Sequence, residues 1–141
     1  MDIRSRTRGT VADTRLLRRA FGAFATGVTV VTVGGADPHG MTANSFTAVS
    51  LDPPLVLVCV ERVAFMHNLL PKAGMFGVSV LAAGQAAVAR HFADRSRPLG
   101  PEQFDVIDWR PGQLTGSPLI AGFPVPSLMP AISRIRRTWF H

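Results

Sequence analysis

Hydrophobic and polar positions alternate in two different rhythms along this chain. Near the start, Leu16, Leu17, Ala20, Phe21 and Phe24 fall at helical spacing, with Arg15, Arg18 and Arg19 on the opposite side. Asp13 or Thr14 is placed to cap that helix, and Gly27 to end it. Val28 to Val33 (VTVVTV) is β-branched throughout and predicts a strand. Gly34, Gly35, Asp37, Pro38 and Gly40 make a turn after it. Met41 to Ser50, rich in Thr, Val and Phe, predicts a second strand, broken by Asp52-Pro53-Pro54. Leu55 to Val60 is a continuous apolar run, the pattern of a strand buried on both faces. Phe65 to Leu70 predicts a short helix closed by Pro71 and Gly74, and Phe76 to Leu81 another strand. Ala83 to Ala93 predicts a helix with Val88 and Phe92 as its contacts, followed by a loop over 95–101 and turn-rich segments to Pro118. Short loops between the early strands favour antiparallel pairing, so a small β-barrel with helical decoration fits better than a doubly wound sheet.

Composition narrows the class. The chain has 141 residues, 47% of them hydrophobic and 17% charged, which is the make-up of one globular domain. No apolar run approaches the roughly 20 residues of a spanning helix, and the basic N-terminus lacks a signal-peptide core, so the expected location is the cytoplasm and no membrane partner is expected. The single cysteine, Cys59, excludes an internal disulfide; within its apolar run it reads as a buried small hydrophobe.

The net charge is +6 and uneven. Residues 1–20 carry six arginines against Asp2 and Asp13, and four arginines but no acid follow Asp108. Solvated ends account for this. A nucleic-acid-binding module would interleave aromatic residues with those arginines, and it is not expected.

The familiar chemical motifs are missing. There is no phosphate loop, no G-x-G-x-x-G fingerprint and no G-x-S-x-G elbow. His39, His67, His91 and His141 have neither each other nor Cys59 at close metal-ligand spacing, so no metal is expected. No pair of catalytic carboxylates stands out. Any chemistry here belongs to a bound cofactor, with no catalytic side chain of its own.

The informative stretch runs from Gly40 to Pro54. It gathers Thr42, Asn44, Ser45, Thr47 and Ser50 in one strand-like ribbon that opens with glycine and ends in Pro-Pro. In a regular strand Thr42, Asn44 and Ser50 share a face. A flavin asks for this kind of surface: it has two apolar ring faces, donors and acceptors along one edge, and a phosphate that wants hydroxyls, N–H groups or an arginine. Ala43 is small enough to let the backbone approach. An ordinary strand with one wet face carries the same residues.

Residues 24–32 (FATGVTVVT) and 39–56 (HGMTANSFTAVSLDPPLV), with later blocks FGVSVL at 76–81, HFA at 91–93 and GSPLI at 116–120, resemble the flavin reductase family. Its members are the short-chain reductase partners of two-component flavin monooxygenases. The likeness runs in order from about Leu16 to Gly122.

The resemblance implies a fold that is mainly β with flanking helices: a split β-barrel with Greek-key connections, of the FMN-binding type, forming a homodimer. It implies FMN or FAD as cofactor, NADH or NADPH as co-substrate, hydride transfer between them, and delivery of reduced flavin to a partner monooxygenase. Carried onto this chain, the flavin contacts are Thr42, Ala43, Asn44 and Ser45 near the ring and ribityl chain, then Ser50, Leu51 and Asp52 at the strand end. Cys59, Val60 and Arg62 border the site from the next strand, with Arg62 for the phosphate, and His91 and Phe92 from the later helix, where Phe92 is also a core residue.

The likeness stops after Gly122. Residues 123–141 hold Pro124, Pro126 and Pro130, no acid and none of the family's closing pattern; tyrosine is absent from the whole chain. The reading is therefore a partial flavin reductase-like domain over 1–122, its C-terminal strands missing, and a divergent irregular tail over 123–141, out of frame or otherwise replaced. Reading the gene in its other two frames past codon 122 tests that. Its alternative functional reading is a flavin-binding protein of the same fold without turnover.

Overall fold

A computed structural model of the chain describes residues 27–122. The expected N-terminal helix and the tail after residue 122 lie outside them. The described part is mainly β with flanking helices. The elements are β1 (Thr29–Val33), β2 (His39–Ala43), β3 (Thr47–Leu51), β4 (Pro54–Leu57), α1 (Phe65–Ala73), β5 (Gly77–Val80), α2 (Ala86–Ala93), β6 (Trp109–Pro111) and β7 (Pro118–Ile120). Short 3-10 turns cover Ala83–Gln85 and Gly100–Phe104. Among the described residues no helix is long and apolar enough to cross a membrane.

Every strand pair is antiparallel. The central sheet has the order β2-β1-β5, and two separate two-stranded sheets, β3-β4 and β6-β7, complete the described part. The VTVVT character of β1 fits its place: all five residues are buried, because the strand is paired on both edges and covered on both faces. Register assigns the faces. Val30 lies opposite Thr42 and Ser79, and Thr32 opposite Gly40 and Gly77. This face meets α2 and β7: Val30 joins Phe92, Phe104 and Ile120 in the core, and Thr42 Oγ1 donates to Ala89 O at 2.6 Å. The opposite face, bearing Val31, His39, Met41, Ala43 and Val78, lies toward α1, whose Met66 is fully buried.

Long-range polar contacts fix β7 on the sheet. Thr32 Oγ1, fully buried, donates to Pro118 O at 2.5 Å, and the Ile120 N–H donates to Ser79 Oγ at 2.9 Å. Thr32→Val keeps the shape but orphans the Pro118 carbonyl, which costs about 1–2 kcal/mol. The expected result is a Tm lowered by roughly 3–8 °C in a thermal melt, with Thr32→Ser close to wild type.

Four expectations need correction. Met41 to Ser50 is not one strand. Pairing stops at Ala43 and resumes at Thr47 in a different sheet, because Ser45 turns to a non-local partner: its Oγ accepts from the Cys59 N–H at 3.0 Å and donates to Cys59 O at 3.1 Å. Leu55 to Val60 is not a strand buried on both faces. The strand is Pro54–Leu57, and Leu55 and Leu57 are exposed, since β4 pairs only with β3 and no third element covers the hairpin among the described residues. Cys59 is likewise exposed, not buried. Helix α1 also runs further than expected, through Pro71 to Ala73. There Gly74, at φ 69°, adopts the left-handed conformation that ends it, and its N–H returns to Leu70 O.

Candidate functional site

A cleft of about 510 Å³ runs along the outer edge of β2. One wall is the start of α1 with the residues before it (Glu61, Val63, Ala64, Phe65, Met66); the other is the end of α2 with the loop after it (Phe92, Ala93, Arg95, Arg97, Leu99). His39, Met41, Thr42 and Ala43 form its floor, and Asn44, Ser45 and Cys59 its end. At the mouth Arg95 and Glu61 form an exposed ion pair at 2.8 Å, which contributes little to stability.

The floor is chemically active because β2 is an edge strand. Antiparallel pairing turns alternate residues' N–H and C=O groups outward. Gly40 is one of these: its N–H donates to Gln103 Oε1 at 3.0 Å and its carbonyl accepts from Arg97. Two residues on, by the same alternation, Thr42 presents its backbone N–H and C=O away from β1, along the cleft. Ala43, buried and small, keeps the floor low there.

Gln103 is fully buried and serves as the hub of a polar network behind the cleft. Its Nε2 donates to Pro38 O at 3.0 Å and Gly100 O at 2.8 Å, and its own backbone carbonyl lies 2.6 Å from His91 Nε2. Arg97 donates to Asp94 O at 2.6 Å, to Gln103 Oε1 at 3.4 Å and to Gly40 O, and its Nη2 lies 3.2 Å from His39 Nε2. Arg97 carries only donors, so Nε2 of neutral His39 accepts from it, while Nδ1 lies 3.4 Å from Gln103 Nε2. The Asp94 carboxylate accepts from Ser96 Oγ and N–H, contacts that hold its pKa below the ordinary value and order the loop carrying Arg97. Burial lowers the Arg97 pKa, with Asp94 pulling the other way.

Burial, and then the Arg97 charge, push His39 from 6.5 down to about 4. The sign of the pH dependence follows. The unfolded chain takes up a proton near pH 6.5 that the folded chain refuses until about 4, so the contribution is complete above 6.5 and is lost as pH falls toward 4. Urea midpoints at about pH 7 and about pH 4.5 are expected to differ more for wild type than for His39→Gln. Equal differences in both proteins would contradict it.

The cleft gathers six of the residues singled out in the sequence: Thr42, Ala43, Asn44, Ser45, Cys59 and Phe92. Phe92 is at once cleft wall and core, 1% exposed. The other six do not line it. Ser50, Leu51 and Asp52 sit at the far end of the β3–β4 hairpin, Leu51 fully in solvent. Val60 and Arg62 alternate with the lining residues Cys59, Glu61 and Val63, and His91 turns to the Gly100–Phe104 segment. Sequence reasoning missed His39, Met41, Phe65, Arg97 and Gln103. The Asp94-x-Ser96 turn was a readable sign of an ordered loop; contacts between Gln103 or Arg97 and residues 38–40, which span 57 to 65 residues, left no local signal. Among the described residues no cluster of three or more His, Cys, Asp or Glu side chains suits a metal ion.

Comparison with known proteins assigns the family. The chain is 62% identical over 119 residues to an NADH-dependent FAD reductase of Streptomyces globisporus, covering 84% of this chain and 65% of that protein. Among solved structures it resembles BorF, the flavin reductase component of a bacterial two-component tryptophan halogenase (63% identity, TM-score 0.73, 78% of this chain and 69% of that one). It also resembles the Streptomyces globisporus NADH:FAD oxidoreductase SgcE6 in complex with NAD and FAD fragments (57% identity, TM-score 0.73, 83% of this chain and 68% of that one). The chain spans 65%, 42% and 35% of the length of three curated relatives it matches. Residues 21–126 match the model of the flavin reductase like domain, and the chain belongs to that family.

Proposed function

We propose that this chain is an NAD(P)H-dependent flavin reductase that binds FMN or FAD in the β2-edge cleft and supplies reduced flavin to a partner monooxygenase or related oxygenase component. The observation that carries the reading is the cleft itself: the outer edge of β2, where Thr42 turns its backbone N–H and C=O away from β1, lies between walls that combine apolar side chains with Glu61, Arg95 and Arg97. Its volume lies within the range of small-molecule sites, and Met41, Val63 and Phe65 supply apolar contact for ring faces. The reductases among the relatives support the same reading.

When bound, a flavin supplies the hydride-accepting chemistry. The protein's part is positional. Thr42 offers its backbone groups to the ring edge, Ala43 leaves room for that approach, and the Ser45–Cys59 clasp closes one end. His39, neutral near pH 7, adds no second positive charge beside Arg97.

A homodimer is part of the proposal. The β3–β4 hairpin exposes Val49, Leu51, Leu55 and Leu57, an apolar surface suited to a second copy. The location proposed is the cytoplasm, consistent with a single cysteine. The purified protein is expected to oxidise NADH or NADPH only when FMN or FAD is added. Flavin binding without NADH or NADPH oxidation would leave a flavin-binding protein in place of an enzyme.

A further inference from the structure

We propose that Arg97 holds the phosphate of the flavin in the cleft and that Gln103 is its positioning residue; this deepens the flavin-reductase reading and rests on it. Arg97 lines the cleft, is partly buried, and carries its charge among neutral acceptors: Gly40 O, Asp94 O, Gln103 Oε1 and His39 Nε2. No carboxylate of the described residues pairs with it: Glu61 at the mouth is bound to Arg95, and the Asp94 carboxylate is turned to Ser96. A half-buried guanidinium that makes no ion pair among the described residues, with Asp94 acting on it only at a distance, attracts an anion. The neutral cradle fixes its place without cancelling its charge.

Gln103 makes this arrangement work because it is an amide. Its two N–H donors are committed to Pro38 O and Gly100 O, so its oxygen faces both Gly40 and Arg97. A glutamate of the same size would place a carboxylate on Arg97 and neutralise it. Arg62, the residue the sequence suggested for a phosphate, is exposed and does not line the cleft.

The test compares FMN with riboflavin, which lacks the phosphate, by fluorescence titration of wild type, Gln103→Glu and Arg97→Gln, with a thermal melt of each. Both variants are expected to bind FMN about tenfold or more weakly, while riboflavin affinity changes less than about twofold. Equal loss for both ligands, or unchanged FMN affinity, would overturn the assignment. If Gln103→Glu fails to fold, Arg97→Lys against Arg97→Gln decides: only the lysine variant should keep a preference for FMN over riboflavin. Wild type that binds both flavins equally overturns the phosphate role and leaves the flavin reading standing. Wild type that binds neither removes both.

Discussion

Gly40→Ala is expected to destabilise the protein by about 3 kcal/mol and to lower its Tm by roughly 5–15 °C. A Cβ at this position would stand 2.6 Å from Phe92 Cε1 and 2.7 Å from Cδ1. Phe92 has nowhere to retreat: it is 1% exposed, packs with Val30, Phe104 and Ile120, and its ring centroid lies 5.4 Å from that of Phe104. The alternative, a shift of β2, would break the bonds that Gly40 makes to Gln103 and Arg97 and would move the floor of the cleft. A double variant, Gly40→Ala with Phe92→Leu, should be less unstable than the sum of the two single changes, since the smaller side chain vacates the clash. Urea denaturation of the four proteins measures this. A loss below about 1 kcal/mol for Gly40→Ala, or strict additivity, would show that the ring has room the structure does not display.

Gln103→Leu has the other large expected effect, a loss of about 4 kcal/mol, close to the whole stability of a marginal domain. Leucine nearly fills the volume but satisfies none of the polar atoms left behind. The buried Gly40 N–H loses its acceptor, and the part-buried carbonyls of Pro38 and Gly100 lose their donors. One buried and two part-buried groups, at about 1–3 kcal/mol each, set the scale. The same change frees the segment bearing Arg97, so flavin affinity should fall together with stability. A Gln103→Leu protein with wild-type urea midpoint would mean that water or a rearranged backbone replaces those bonds.

What the sequence made legible was local. VTVVT over 29–33 is β-branched enough to mark a central strand, and the alanine-rich stretch ending in HFA marks the helix that carries Phe92. The residues at one end of the cleft, Thr42 to Ser45, were readable because their types suit a flavin edge and match a family pattern. Their conformation was not. The break between Ala43 and Thr47 depends on Ser45 reaching Cys59, fourteen residues away, and no periodicity encodes that. Leu55 to Val60 misled for a related reason: an apolar run states what a segment avoids, not which element will cover it. The loop of 95–101 looked like filler, being rich in arginine, proline and glycine, yet with Gln103 beyond it that loop supplies a half-buried cation to the cleft wall.

The most direct measurement is a titration of FMN and of FAD with the purified full chain, followed by flavin fluorescence. A groove with a free strand edge as its floor and Arg97 in its wall should give saturable, one-to-one binding in the micromolar range or tighter. Unaltered flavin fluorescence and no retained flavin at protein concentrations approaching about 1 mM would mean that the cleft along β2 is not a flavin site.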